Sequence, residues 1–299
     1  MLIDFQSEIN KLNQVRTGQI KEGLGLGVPG IDEFMRFKYG SFNVILGHSN
    51  VGKTTVILFM MLLYSLKHKL RWLVYSSENE PHSIIRKLVE FLEAKPINKV
   101  DADAFRMRIK WIQDHFRFMD TERLYTFREL LGNAEKLYQH QTYHGFMIDP
   151  YNSLTKDQTV LRGIGAHEYD YQATSEIRLF CKKNSISVWL NTHSVTEAQR
   201  MKHEQTHIYA GHPMPPMSSH AEGGSKFVNR CDDFLVIHRY TQHPTDWMQS
   251  NIIVRKVKDI DTGGRPTPID SPIILRSMTN NVGFEMNGQS LIETLKIPF

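Results

Sequence analysis

The segment at residues 47–55 constrains the fold more than any other part of the sequence. It matches the pattern G-x-x-x-x-G-K-S/T at every fixed position, with a mostly apolar run before it at 42–46 and an apolar run after it at 56–63. This order predicts a buried strand, a glycine-bounded loop and a helix. The residues of this phosphate loop are Gly47, His48, Ser49, Asn50, Val51, Gly52, Lys53, Thr54 and Thr55.

The residue types in this loop suit phosphate groups. Glycines let the backbone fold tightly, so that N–H groups point at phosphate oxygens, and the start of the helix adds its positive dipole end. We expect Lys53 to reach the β- and γ-phosphates and the Thr54 hydroxyl to bind Mg²⁺. The alternative is a glycine turn with a lysine present by chance, which the apolar runs on both sides disfavour. The sequence therefore predicts a site for a nucleoside triphosphate.

Composition sets broad limits on what the chain can be. Its 299 residues correspond to one large or two modest domains, and 40% hydrophobic with 23% charged residues is typical of a globular protein. Lysine and arginine exceed aspartate and glutamate by 36 − 32 = 4, with 14 histidines besides. This mild basicity permits a polyanionic partner without requiring one.

The sequence also predicts a cytoplasmic protein without membrane contact. Cys181 and Cys231 follow no metal-binding or redox spacing, which suits buried thiols in a reducing compartment. No apolar stretch approaches the length of a membrane span. The N-terminal residues lack the basic start and the cleavage site of an export signal.

The chain divides into an N-terminal helix, predicted over residues 1–22, and one α/β domain over residues 23–299. Apolar residues spaced by three and four make the first helix amphipathic, so it either packs on the main domain or docks on an adjacent subunit. In the domain, the patterns predict helices at 53–69, 82–94, 101–117, 121–141 and 167–183, and strands at 71–76, 145–149, 185–192, 234–238 and 251–257. Residues 196–224 show no periodicity and predict a polar loop. Helices alternating with short apolar strands predict a twisted, mostly parallel central sheet flanked by helices on both faces.

Polar residues stand at the ends of the predicted strands, where open α/β sheets bind their ligands. Asp149 follows an apolar strand, as expected of an acid that holds Mg²⁺ beside the phosphate loop. Glu78 ends the neighbouring strand and is the preferred candidate for polarising the attacking water, with Glu80 as its competitor. His193 is placed to contact the γ-phosphate and report its presence. The alternative for each acid is a capping role at the turn or helix that follows it. The alternative for His193 is an ordinary surface or half-buried histidine.

A second motif, H-E-x-x-H at residues 203–207, is typical of zinc proteases, with His212 nearby. The extended form of that motif fails, because Ala210 and Pro213 stand where a glycine and a third histidine are needed. The segment also lacks the apolar face of a buried helix. We therefore expect a flexible polar loop facing a polyanion instead of a zinc site.

Taken in order, these motifs resemble the hexameric RecA-fold replicative helicases, the DnaB-type enzymes and the phage and mitochondrial primase-helicases. The resemblance covers residues 24–270 and includes the phosphate loop, the segment around Glu78, the segment after Asp149, the position of His193, and residues 223–233. It implies a RecA-like P-loop NTPase that hydrolyses ATP with Mg²⁺ between subunits of a homo-hexamer or similar ring. It also implies movement along single-stranded DNA during replication, a possible separate primase as partner, and the cytoplasm of a bacterial cell or a phage-infected host.

The same resemblance implies further site residues. Lys256 and Lys258 fall where the family sends basic fingers into the neighbouring subunit's site. A lysine at the finger position lacks the planar fork of arginine, so Arg255 and Arg265 remain alternatives. Arg200, Lys202 and Lys226 are candidates for binding the DNA backbone, and Tyr209 for stacking on a base.

Two other functions stay open at this stage. One is a recombinase-type, DNA-dependent ATPase of the RecA or RadA kind. The other is a RecA-fold ATPase with no nucleic-acid function. A fold of this kind does not decide among the three.

Overall fold

A computed structural model describes residues 2–20 and 23–295, and in it one ten-stranded sheet organises the domain. The strand order is β10-β9-β8-β7-β6-β1-β5-β4-β2-β3. The strands are β1 (Phe42–Gly47), β2 (Trp72–Ser76), β3 (Phe116–Phe118), β4 (Gly145–Asp149), β5 (Ser187–His193), β6 (Asp233–His238), β7 (Gln249–Val257), β8 (Ile273–Ser277), β9 (Phe284–Met286) and β10 (Gln289–Ser290).

The helices lie mainly before and between the strands of the first half of the chain. They are α1 (Phe5–Arg16), α2 (Pro29–Asp32), α3 (Lys53–His68), α4 (Pro81–Glu93), α5 (Ala102–His115), α6 (Phe127–His140), α7 (Gln158–Asn184), α8 (Thr196–Arg200), α9 (Lys226–Arg230), α10 (Ile260–Gly263) and α11 (Leu291–Thr294). Within residues 2–20 and 23–295, no helix has the length and apolar character needed to cross a lipid bilayer.

Six of the strands, from β3 across to β6, are parallel to one another, which confirms the predicted sheet. The register places Gly47 beside His193 and Ser76 beside Asp149. The carboxyl ends of these strands therefore meet at one edge. From β7 to β10 the pairing is antiparallel, an extension that the sequence patterns did not specify.

Apolar side chains fill both faces of the parallel part of the sheet. Along β2, Trp72 and Val74 pack in one apolar cluster, and Leu73 and Tyr75 pack in the other. This alternation follows from the two-residue period of a strand. Helix α3 is apolar almost all round because it is buried: eleven of its residues are inaccessible.

Two predicted helices have different bounds in the structure. Helix α7 starts at Gln158, nine residues before the predicted start, and its helical geometry is interrupted at Gly165, where φ is 76°. Helix α6 starts at Phe127 instead of residue 121 because Thr126 and Glu129 form a capping box there. The sequence patterns at 158–164 and 121–126 did not reveal either feature.

The N-terminal helix α1 has no buried residue. Its first turn is capped by Asp4, whose side chain accepts a hydrogen bond from the backbone N–H of Gln6. Large apolar side chains of this segment are exposed, including Leu2, Phe5 and Leu12. Residues 1, 21 and 22 of the predicted 1–22 helix lie outside the described residues.

Residues 196–224 form an ordered excursion instead of the flexible loop that we expected. Helix α8 is followed by a hairpin at residues 201–214, in which Lys202 lies opposite Pro213. The base of the excursion is closed by two backbone hydrogen bonds, from the Val195 N–H to the His220 carbonyl at 2.9 Å and from the Glu222 N–H to the His193 carbonyl at 2.9 Å. The sequence of this segment is polar and did not predict an ordered structure, because the hydrogen bonds that close it join residues far apart in the chain.

Candidate active site

The phosphate loop joins β1 to α3 in the conformation that its glycines predict. Gly52 has φ of 83°, in the left-handed region that favours glycine. A Cβ atom at Gly47 would lie 2.4 Å from the carbonyl oxygen of Ile237. No side chain caps the N-terminus of α3. Its first N–H groups therefore face the loop, as binding of an anion requires.

A cavity of about 460 Å³ opens over this loop, and it is lined by residues 49–55, Glu78, Asn79 and His193. A larger cleft of about 590 Å³ lies at the other ends of the parallel strands, near Lys69 and Arg71. That cleft contains none of the residues expected to do chemistry. We therefore place the candidate site at the phosphate loop.

Lys53 is buried at the first position of α3. Its Nζ donates hydrogen bonds to the carbonyl oxygens of Gly47 at 3.1 Å and His48 at 2.9 Å, and lies 3.3 Å from His193 Nδ1. Burial lowers the pKa of Lys53, against the opposing effect of Asp149 and Glu78. A cation held in this way is stabilised further by an anionic ligand.

Asp149, at the end of β4, is buried directly behind the start of α3. Its Oδ2 accepts hydrogen bonds from Thr54 Oγ1 at 2.8 Å and Ser76 Oγ at 3.2 Å, and its Oδ1 accepts one from Asn191 Nδ2 at 2.6 Å. Burial raises the pKa of Asp149 in spite of these bonds. The Thr54 hydroxyl and this carboxylate form the oxygen set that Mg²⁺ prefers, and a carboxylate with a raised pKa gains from a nearby cation. The residues present fit Mg²⁺.

Glu78 and His193 form a pair at the mouth of the cavity. Glu78 Oε1 lies 3.1 Å from His193 Nε2, and the Glu78 side chain is half-exposed. Because the other ring nitrogen of His193 faces Lys53, the histidine links the glutamate to the phosphate loop. Glu80 is instead the N-cap residue of α4 and does not line the cavity. This arrangement favours Glu78 over Glu80.

Sequence reasoning missed a second cavity of about 190 Å³ that shares Gly52 and Thr55 with the phosphate loop. Its other walls come from α4, β7, β8 and residues 281–284, with Arg239 directly after β6. The remaining lining residues are Lys87, Ser250, Ser277, Asn281, Gly283 and Phe284. No local pattern identifies such a set, because it is assembled from five separate segments of the chain.

The predicted finger residues lie at the strand ends opposite the phosphate loop. Val257 pairs with Asp233, the first residue of β6, so Lys256 and Lys258 do not reach this chain's own site. Lys256 Nζ donates to the carbonyl oxygens of Val228 at 2.6 Å and Cys231 at 2.8 Å, whereas Lys258 is exposed and lies 3.4 Å from Asp232.

Of the two alternatives for the finger, Arg255 is exposed on β7. Arg265 pairs with Glu33, with 3.1 Å between Nε and Oε1, and its guanidinium lies over the ring of Phe34. Both side chains are therefore on the surface, and Arg265 already has partners in its own chain.

The basic residues expected to bind DNA do not behave alike. Arg200 and Lys202 are exposed at the end of α8 and in hairpin 201–214. Lys226 is only 7% exposed, and its Nζ lies 3.4 Å from Asp170. The prediction that Lys226 is a phosphate donor is therefore corrected, because burial and the ion pair make it part of the core.

The H-E-x-x-H segment is not helical. The rings of His203 and His207 stack at 3.9 Å, and Tyr209 stacks on Tyr240 at 3.7 Å. In the part of the chain that the structure describes, no group of three His, Cys, Asp or Glu side chains is arranged to hold a metal ion. These histidines pack the hairpin against the end of β6.

Comparison with known proteins agrees with this geometry. No protein-family model matches the chain. The Twinkle homolog protein, chloroplastic/mitochondrial, of Arabidopsis thaliana is 27% identical over 272 residues, which are 86% of this chain and 36% of that relative. The chain thus spans about a third of the length of the curated relative it matches.

Solved structures match over most of the chain. The ATPase domain of G40P has a TM-score of 0.71 with 14% identity, covering 93% of this chain and 96% of that one. A DnaB-like replicative helicase, described with its interactions with primase, has a TM-score of 0.69 with 13% identity, covering 95% and 66%. A KaiC-like protein of Pyrococcus horikoshii OT3 has a TM-score of 0.55 with 12% identity, covering 89% and 96%. The fold is that of the RecA-like ATPases. The predicted resemblance to DnaB-like replicative helicases is confirmed as a similarity, and the chain is also similar to the Twinkle homolog protein.

Proposed function

We propose that the chain is the ATP-hydrolysing motor of a DNA helicase, which works between subunits of a ring and moves along single-stranded DNA during replication. The observation that carries the proposal is the contact of His193 with both Lys53 and Glu78 over the phosphate loop. A phosphate-binding lysine, an acid able to polarise water and a side chain between them are the parts that ATP hydrolysis requires. The similarity to G40P, DnaB-like and Twinkle proteins supports the choice of a helicase.

Each residue has a stated role in this proposal. The loop N–H groups and Lys53 bind the phosphates, Glu78 orients the attacking water, and His193 contacts the γ-phosphate. Thr54 and Asp149 hold Mg²⁺, which when bound neutralises phosphate charge. The cavity of about 190 Å³ beside Gly52 and Thr55 receives the adenine base of ATP.

The proposed partners are single-stranded DNA, further copies of this chain and a separate primase. Arg200 and Lys202 are the proposed contacts to the DNA backbone. Helix α1, with no buried residue of its own, is the proposed contact to a neighbouring copy. The proposed compartment is the cytoplasm of a bacterial cell or a phage-infected host, since both cysteines are free thiols.

The test is ATP hydrolysis by the purified chain with and without single-stranded DNA, together with unwinding of a forked duplex. We expect DNA to stimulate hydrolysis, DNA affinity to fall steeply with salt, and Lys53→Ala to abolish turnover. Hydrolysis that ignores DNA would indicate an ATPase without nucleic-acid function. Strand exchange on helical filaments would indicate a recombinase. Normal turnover by Lys53→Ala would overturn the site itself.

A further inference from the structure

The second residue of the phosphate loop, His48, directs its side chain away from the nucleotide cavity and toward Ser194 and the excursion at 196–224. It is 5% exposed, so its ring is part of the interior. Its Nδ1 lies 2.8 Å from Ser194 Oγ, and its Nε2 lies 3.0 Å from the Met214 carbonyl oxygen. The side chain therefore joins the loop to two points of one excursion.

The partners of His48 fix its tautomer. A carbonyl oxygen accepts hydrogen bonds and donates none, so Nε2 carries the proton and donates to Met214. Burial lowers the pKa of His48 against the opposing effect of the hydrogen bond to Met214, and the charge of Lys53 lowers it further. In the tautomer with the proton on Nε2, Nδ1 accepts the hydrogen bond from the Ser194 hydroxyl.

These two bonds are the hydrogen bonds that residues 47–55 make to residues 194–224 within the described chain. Elsewhere the phosphate loop and hairpin 201–214 face each other across a cavity of about 310 Å³, lined by Asn50 on one side and Pro213 on the other. The rings of His238 and His48 pack in a T-shaped arrangement with their centroids 5.8 Å apart. Motion of the loop backbone therefore reaches the hairpin chiefly through one side chain.

We propose that His48 is a positioning residue that transmits nucleotide binding at the phosphate loop to hairpin 201–214. Phosphate groups fix the backbone of Gly47 and Asn50, and the His48 ring, bonded to Met214, then fixes the C-terminal end of the hairpin. The link through His48 is additional to the contacts of His193 with Lys53 and Glu78. The two connections are adjacent, because Ser194 directly follows His193 in the chain. The inference rests on the proposed function only in that the loop must bind a nucleotide.

The test is hydrogen–deuterium exchange of the amides of hairpin 201–214, with and without a non-hydrolysable ATP analogue and Mg²⁺. In the wild-type chain we expect the analogue to slow exchange there by about fivefold, the worth of one hydrogen bond. His48→Ala and Ser194→Ala should lose most of this slowing. His48→Gln, whose amide both donates and accepts, should keep part of it. His207→Ala is the matched control, since that ring lies in the same hairpin and has no contact with the phosphate loop.

Binding of a fluorescent nucleotide by each variant separates the two proposals. If the wild-type chain binds no nucleotide, the proposed function fails. If it binds and the hairpin does not respond, or if His48→Ala binds and responds as wild type does, the role of His48 is overturned while the function stands. If His48→Ala fails to fold, Ser194→Ala decides alone: an unchanged response in that variant overturns the link.

Discussion

At the scale of single residues, Asp149 and Lys53 carry opposite charges into the same buried site, and burial shifts both pKa values toward the neutral form. Such shifts are expected where a ligand completes the electrostatics. The site is therefore arranged for a bound phosphate and cation and not for the stability of the free chain.

The raised pKa of Asp149 gives a prediction for stability. A carboxyl group whose folded-state pKa lies above its ordinary value stabilises the fold below that ordinary value, and the contribution is lost as pH rises through the raised pKa. Without nucleotide, Asp149→Asn should therefore have a higher Tm than wild type at neutral pH, by about 2–4 °C for each kcal/mol regained. The gain should shrink on acidification. Thermal unfolding across this pH range measures it.

Asp170→Asn is the control for that prediction. Asp170 is also buried, but it pairs with Lys156 at 2.9 Å and Lys226 at 3.4 Å. Its neutralisation leaves the buried Lys226 and the partly exposed Lys156 without their carboxylate partner and should lower the Tm. A lower Tm for Asp149→Asn at neutral pH would contradict the account of the site.

Glu78→Gln tests the assignment of the acid that polarises water. The variant should bind ATP with nearly wild-type affinity and hydrolyse it about 10²- to 10⁴-fold more slowly, as is usual when a general base is removed. Glu80→Gln should retain turnover, because Glu80 stands at the N-cap position of α4 and does not line the cavity. Single-turnover hydrolysis and nucleotide binding are the measurements. The reverse pattern would transfer the role to Glu80.

The sequence was informative about residues whose roles depend on local geometry. The phosphate loop has a fixed spacing, and Glu78, Asp149 and His193 each follow an apolar strand, so parallel pairing was enough to bring them together. The positions of Lys226 and Arg239 depend on partners far along the chain. Local patterns could not show that Lys226 is buried against Asp170, or that Arg239 and Gly52 line the same cavity.

At the scale of elements, continuous apolar runs identified β1, β2, β4 and α3 closely. Patterns that mix burial and exposure were less informative. In β8, Ile274 is exposed between buried neighbours, which leaves no alternation of polar and apolar residues to detect. The sequence patterns did not predict the hairpin at 201–214. Stacked rings and hydrogen bonds between residues distant in the sequence hold it in place, and these leave no periodic pattern of apolar residues.

The segment from α8 to α9 gives a prediction that separates DNA binding from stability. Lys202→Ala removes an exposed cation from the hairpin and should weaken binding of single-stranded DNA and reduce its salt dependence by about one unit of slope. Its Tm should not change. Lys226→Ala breaks a buried ion pair and should lower stability by about 1–3 kcal/mol. The measurements are salt titrations of DNA binding and thermal unfolding of both variants. If Lys226→Ala lost DNA affinity without losing stability, Lys226 would again be a candidate DNA contact.

At the scale of the whole molecule, the phosphate loop lies at the carboxyl ends of the parallel strands, and the predicted finger residues lie at the opposite, amino-terminal edge of the sheet. Gly47 is at the carboxyl end of β1, whereas Val257 pairs with the first residue of β6. A single chain thus cannot bring Lys258 to its own Lys53. If both act on one nucleotide, they must come from different copies.

Mixing two inactive variants tests this arrangement. Lys53→Ala should be inactive, and Lys258→Ala should lose at least about tenfold in turnover if the lysine stabilises charge on the neighbour's phosphates. Random 1:1 assembly of the two would make about a quarter of the interfaces intact, because each intact interface needs one subunit of each kind in a fixed order. ATP turnover should rise accordingly. Lys53→Ala mixed with Glu78→Gln is the control, because both residues belong to one subunit's site and every interface stays defective. Turnover no higher than the mean of Lys53→Ala and Lys258→Ala assayed separately would show that Lys258 does not act between subunits, and repeating the experiment with Arg255→Ala would then test its nearest alternative on β7.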